Sequence, residues 1–240
     1  MANTLNKLKI VAMIPARLGS QRIPKKNLRL LGGKVLVEWV IDSCKETNKF
    51  DQIYINSESR MFQSISNKAG VSFYERPAVL ASNSATNDDF VLDFISHVEL
   101  DVLIQVNPTS PFTTPKDIAG VIDMLLEGGF DTVHTVKQEQ IEGLFNGVPL
   151  NFDPTKQMPP SQELIPVQLF TSSIMAWRAS KFKDNMSKYG CAVYGGDEKI
   201  GYYTVSGEGS IDIDNEKDFF LAEAVLLSRS NQSEVKYYEV

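Results

Sequence analysis

Cysteine and histidine are scarce in this 240-residue chain, with two of each, and acidic residues outnumber basic ones 30 to 24, for a net charge of -6. Cys44 and Cys191 lie far apart and in no metal-ligand spacing, which excludes a zinc module and a disulfide framework. Both are expected to be buried structural thiols in a reducing cytoplasm. His97 falls in an apolar helical stretch and His134 in an apolar strand, so each is read as packed or hydrogen-bonded, and no histidine base is assigned. The acidic balance gives no general attraction for nucleic acid or an anionic membrane, so any polyanion must be bound locally, in a pocket. Long apolar runs are missing too. The opening MANTLNKLKIVAMIPARLGS has only a short one, broken by Pro15 and Arg17, too short for a signal peptide or a membrane span. No internal repeat or low-complexity tract is present, and a hydrophobic fraction of 42% with 22% charged residues is that of an ordinary globular protein.

Short apolar runs read as strands over 9–14, 52–56, 71–74, 102–106 and 132–136. Between them, helical spacing covers 35–44, 61–69, 88–98 and 115–127. Strands that are apolar throughout and alternate with helices predict a mostly parallel sheet covered on both faces, with ligands bound beyond the strands' carboxyl ends. Thr114-Pro115 marks a helix N-terminus, Gly128-Gly129 closes the same helix, and a further helix is expected over 216–228. The stretch 138–168 contains Pro149, Pro154, Pro159, Pro160 and Pro166 with little periodicity. It is read as a loop-rich arm or dimerisation insertion within one domain spanning 1–240.

The positive charge is concentrated just after the first strand, in IPARLGSQRIPKKN, residues 14–27. A strand feeding a loop with glycine, serine and several cations is a phosphate-binding arrangement, because free backbone N–H groups and cationic side chains converge where the strand ends. The loop lacks the GKS or GKT ending of a P-loop and is not a GxGxxG fingerprint; from charge alone a solvated basic loop would explain it equally well. Near the other end, SIDID puts Asp212 and Asp214 two residues apart. On an extended strand both carboxylates would face one side and could share a hard cation; taken alone, a pair of solvated carboxylates, or an N-cap at Asp214, is the simpler reading. Asp218 is read as a helix-dipole residue, and Tyr202, Tyr203, Phe219 and Phe220 as core or interface.

Four segments in order resemble the cytidylyltransferases that activate acidic sugars, above all the CMP-N-acylneuraminate synthetases: IPARLGSQRIPKKN, ERPAVLAS (75–82), IQVNPTSPFTTPKDI (104–118) and SIDIDNEKDF (210–219). The resemblance implies a single Rossmann-like α/β domain, cytoplasmic and homodimeric, that makes a CMP-sugar from CTP and an acidic sugar with Mg²⁺. Arg17 and Lys26 would hold CTP phosphates, assisted by Ser20 and the loop backbone. Arg22 and Lys25 would add positive charge, and Ala16, Asn27, Arg76, Asn87 and Asn107 would contact the nucleotide. Asp212 and Asp214 would bind Mg²⁺, with Arg17, Lys26 and Asp214 serving the reaction itself. The anomeric hydroxyl of the sugar would be the nucleophile. At the acceptor end the chain departs from the family pattern. Asn107 and Thr113 stand in place of a glutamine and an arginine, Asn56-Ser57-Glu58 in place of Ser-Thr-Asp, and the remaining candidates for a sugar carboxylate are Lys137, Gln162, Gln168 and Arg178. The resemblance therefore leaves open a nonulosonic acid, a 3-deoxy-octulosonic acid, or a nucleotide-binding relative without catalysis.

Overall fold

A computed structural model describes residues 7–230. Seven strands form one sheet: β1 (Ile10–Pro15), β2 (Gln52–Ser57), β3 (Ser72–Glu75), β4 (Val102–Val106), β5 (Thr132–Glu139), β6 (Val167–Arg178) and β7 (Ile200–Thr204), in the spatial order β7-β5-β6-β4-β1-β2-β3. All neighbours pair in parallel except β6, which runs antiparallel to both β4 and β5. The sheet is thus mostly parallel, as the apolar character of its strands predicts. β4 has the limits read from sequence, whereas β5 continues past Val136 to Glu139 and β6 and β7 lie outside the strands read there.

Alternation along β1 divides the core. Ile10, Ala12 and Ile14 face a layer containing α1 (Leu36–Thr47), α2 (Met61–Ala69) and α4 (Pro115–Leu126). Val11 and Met13 face α3 (Asn87–His97) and α5 (Ala179–Tyr189). A third cluster joins α6 (Glu216–Ser230), through Phe219 and Ala222, to Ile23 in the basic loop, Phe112 after β4, and Ile213. α4 begins as its sequence dictates: Thr114 caps the helix by accepting from Asp117 N at 3.1 Å, and Asp117 accepts from Thr114 N in return. Among the described residues no helix is long and apolar enough to cross a membrane.

Several expectations need correction. Cys44 is buried, but Cys191 is exposed in the segment after α5, so only one thiol is a core group. Residues 211–214 form no strand; Ile213 N donates instead to Thr109 O at 2.8 Å. Asp214 is not the cap of α6 either, because Asn215 Oδ1 accepts from Lys217 N at 2.9 Å, and that leaves the Asp214 carboxylate free of the helix. In the arm, Leu144–Phe145 and Val148–Pro149 form a hairpin whose Asn146-Gly147 turn has positive φ at both residues.

His134 is 1% exposed, in edge contact with the rings of Phe170 and Trp177. Burial pulls its imidazole from 6.5 down to about 4, offset in part by the Val193 backbone, whose carbonyl already accepts from the Trp177 indole. Below pH 6.5 the unfolded chain therefore takes up a proton that the folded chain does not. Stability present above pH 6.5 should be lost as pH falls to 4, by on the order of 3 kcal/mol. Urea unfolding of wild type and His134→Leu at pH 7 and pH 4.5 checks this: the variant should lose distinctly less stability on acidification.

Candidate active site

The strand order reverses on either side of β1, since β2 and β3 continue one way and β4 lies on the other, and a crevice opens beyond the carboxyl ends at such a switch point. Two segments flank it: residues 16–25 after β1, and residues 107–114 after β4. The resulting cleft encloses about 310 Å³. Its cations are Arg17, Arg22, Lys26 and Arg76; its one lining carboxylate is Asp214. An acidic protein therefore presents a locally positive pocket.

Each cation is placed by a specific contact. Lys26 is 9% exposed, and its Nζ donates to Ile213 O at 2.5 Å and lies 3.7 Å from Asp214 Oδ1. Burial pulls this ammonium below the usual lysine range, while Asp214 and Asp212 counter the shift. Arg22 is exposed and reaches Asp214 Oδ1 at 2.8 Å. Arg17 Nη1 donates to Asn83 Oδ1 at 3.2 Å and to Ser82 O at 3.3 Å, tying the basic loop to the end of the ERPAVLAS segment. Arg76 is buried and lies 4.9 Å over the Phe90 ring and 3.6 Å from Glu58 Oε2. Burial depresses its guanidinium, and Glu58 opposes that.

Ser20, Asn27 and Asn107 also line the cleft. Ser20 Oγ accepts from Ile23 N at 3.4 Å, and Asn27 Nδ2 donates to Arg17 O at 3.2 Å, so both shape the loop as well as facing the cleft. Ala16 is fully buried at the loop's start, its N bonded to Asn56 O, and Asn87 lies behind the cleft wall at the start of α3, accepting from Gln105. Lys25 is not among the lining residues; it turns the chain in a left-handed conformation ahead of the short helix Lys26–Leu28. Of the acceptor-end candidates, Lys137 pairs with Glu139, Arg178 is bound to Phe130 O and Leu125 O, Gln162 accepts through its backbone carbonyl from Gln140, and Gln168 lies on β6; none lines the cleft. Thr113 is buried, its hydroxyl closing a turn on Ser110 O at 2.9 Å, so the family's arginine position does not face the cleft in this chain.

Asp212 stands beside Asp214 with Ile213 buried between them. Although residue 212 is exposed overall, protein packed around its carboxyl raises it above the usual carboxylate range, the Thr109 hydroxyl opposes this, and the charge of Asp214 adds to it. Two carboxylates whose charges repel at the edge of a cationic cleft are a donor set that fits Mg²⁺, which binds through one or two carboxylates and keeps its remaining positions for phosphates and water.

Sequence reading missed three contributors. Glu58, noted only as a departure, clamps the loop by accepting from Leu18 N at 2.8 Å while pairing with Arg76. Phe90 carried no sequence signal. Gln105 carried one: it is a polar residue inside an otherwise apolar, fully buried strand.

A doubly wound sheet with a cation-lined cleft at its switch point is an α/β arrangement whose charge suits a polyanion. A cytidylyltransferase family model matches residues 11–166, and the chain belongs to that family. It is 26% identical over 227 residues to N-acylneuraminate cytidylyltransferase A of Danio rerio, covering 91% of this chain and 51% of that protein. It is 24% identical over 248 residues to N-acylneuraminate cytidylyltransferase of Escherichia coli O18:K1:H7, covering 96% and 55%. The chain thus spans about half the length of the curated relatives it matches. Its fold is similar to that of a CMP:2-keto-3-deoxy-manno-octonic acid synthetase solved with CTP, with TM-score 0.71 and 16% identity over 92% of this chain and 99% of that one.

Replacing Glu58 with alanine should leave buried Arg76 without its counter-charge and free the Leu18 amide. A loss of roughly 3 kcal/mol in urea unfolding is expected, and a loss below about 0.5 kcal/mol would show that the clamp contributes little.

Proposed function

We propose that this chain makes a CMP-sugar from CTP and an acidic 2-keto sugar, sialic acid or a related nonulosonic acid, with release of pyrophosphate. The observation that carries the reading is the convergence of Arg17, Arg22, Lys26 and Arg76 on one cleft at the switch point of the sheet, in a chain of the cytidylyltransferase family. Triphosphate and sugar acid are both anions, and the four cations offset their repulsion so that an in-line approach becomes feasible. Lys26 is held for this by Ile213 O, and Arg17 by the segment after β3, so neither has to be ordered when phosphate arrives. The sugar's anomeric hydroxyl attacks the α-phosphorus, its proton passes to water, and the bond to the pyrophosphate leaving group breaks; no side-chain nucleophile is required. Asp212 and Asp214 would hold Mg²⁺, which when bound supplies neutralising charge at the phosphates. Exposed Arg22 would then release Asp214 and turn toward phosphate, while Lys26 stays on Ile213 O.

A second acceptor, a 3-deoxy-octulosonic acid, is kept open by Asn107 at the family's glutamine position and by a cleft lining that includes neither Lys137 nor Arg178. We place the reaction in the reducing cytoplasm, where the free thiols Cys44 and Cys191 persist. We further propose a homodimer formed through the arm, where Ile141, Leu144, Phe145, Val148, Leu150 and Met158 are all exposed. Sedimentation equilibrium should give twice the chain mass, reduced by Phe145→Asp; a monomer for wild type contradicts the dimer.

Pyrophosphate release should be seen with CTP, Mg²⁺ and N-acetylneuraminate or 3-deoxy-manno-octulosonate, and not with ATP, GTP or UTP. Release from other nucleotides but not from CTP overturns the reading. Asp214→Asn should mainly lower turnover and raise the Mg²⁺ concentration required; normal activity at limiting Mg²⁺ would make SIDID structural.

A further inference from the structure

Gln105 is the next-to-last residue of β4, flanked across the sheet by Met13 of β1 and Met175 of β6, and is 1% exposed. Its Nε2 donates to Asn107 Oδ1 at 2.9 Å and to Asn87 Oδ1 at 3.2 Å. Both of its N–H groups are thereby spent on two other carboxamides, while its own Oε1 is buried without a partner. A leucine would fill this position without that unpaired carbonyl but would leave two asparagine oxygens without this donor, so what the amide supplies here is the orientation of its neighbours.

The chain of amides continues. Asn107 Nδ2 donates to Ser172 O at 2.6 Å, and Ser172 sits at φ 53, where β6 breaks register between Phe170 and Met175. The left-handed backbone of a non-glycine residue is strained, and here it turns a carbonyl toward Asn107. The polarity of the whole run is therefore fixed. If Asn107 were flipped, two oxygens would face each other at Ser172 and two N–H groups at Gln105. Asn107 lines the cleft and presents its remaining N–H and lone pair in one orientation only.

These amides lie on a particular side of the cleft. The four cations come from the loop after β1 and from Arg76 after β3, whereas Asn107 is bonded to the backbone of β6, beyond β4 in the opposite direction. All four cations stand on the segments that follow β1 and β3, whereas the segment after β4 lines the cleft with Asn107, Pro108 and Thr109 and brings no cation. Resting on the cytidylyltransferase reading, which puts triphosphate on the charged side, we propose that Gln105 is a positioning residue for the acceptor. By holding the carboxamide of Asn107 in one orientation, braced by Asn87 behind the wall, it makes the β4 side read an uncharged, hydroxyl-bearing part of the sugar acid through a group that both donates and accepts.

The test is steady-state kinetics of Gln105→Leu and Gln105→Glu with CTP, Mg²⁺ and whichever of N-acetylneuraminate and 3-deoxy-manno-octulosonate wild type turns over, with thermal midpoints measured in parallel. Gln105→Leu should raise KM for the acceptor at least tenfold and leave KM for CTP within twofold, while its thermal midpoint stays well above the assay temperature. A glutamate donates to neither asparagine oxygen when ionised and to only one when protonated, so Gln105→Glu should not restore the acceptor KM. An unchanged acceptor KM in both variants, or KM for CTP rising in step with it, overturns the proposal. So does a lowered midpoint in Gln105→Leu with equal losses for both substrates, the mark of a merely structural residue. Absence of pyrophosphate release by wild type is a different result, and strikes the cytidylyltransferase reading instead.

Discussion

The bond from the buried Lys26 ammonium to the carbonyl of Ile213 joins parts of the chain 187 residues apart, and the site is organised around it. A charged amine out of water needs partners, and Lys26 finds a carbonyl and, at longer range, the Asp214 carboxylate. The apolar residues between the charged ones hold the two segments together. Ile23, between Arg22 and Lys26, and Ile213, between Asp212 and Asp214, are both buried in the cluster completed by Phe112 and Phe219. One patch of hydrophobic packing therefore fixes the basic loop, the acidic segment and the start of α6 relative to one another.

This arrangement explains how a chain of net charge -6 can hold a polyanion. Four cations face the cleft, and two of them, Arg22 and Lys26, share the single lining carboxylate. Arg76 is kept at its place by Glu58, whose other oxygen holds the Leu18 amide, so the loop's geometry and the charge balance of the pocket depend on the same carboxylate. The pocket is positive because of where a few residues fall in the fold, and the bulk composition carries no trace of it.

Much of the fold was legible in the sequence. β4 and α2 have the limits their apolar spacing gives, and the Thr114-Pro115 start of α4 is a local capping signal that no distant contact alters. The basic loop was legible because a strand, a glycine, a serine and several cations stand in one short run. What escaped depends on contacts made across the sheet. Asp212 and Asp214 looked like strand residues, but the residue between them, Ile213, bonds through its N to Thr109 O, and Asp214 N donates to the Asp218 carboxylate, so neither aspartate joins a sheet edge. Thr113 looked like a lost acceptor contact, yet the turn after β4 buries it. The left-handed Ser172, which breaks β6 beside Asn107, has no glycine to announce it. The roles of Glu58 and Gln105 arise only when β2 meets the loop after β1 and β4 meets α3.

Calorimetric titration of CTP into wild type and into Lys26→Met tests the central claim most directly. Methionine keeps the apolar stem and removes the charge, so folding should persist, while loss of a charge-assisted phosphate contact of about 1.5–3 kcal/mol should weaken CTP binding tenfold or more. Equal affinity for CTP in the two proteins would contradict the account, because the buried ammonium would then belong to the packing of the loop and not to a phosphate site.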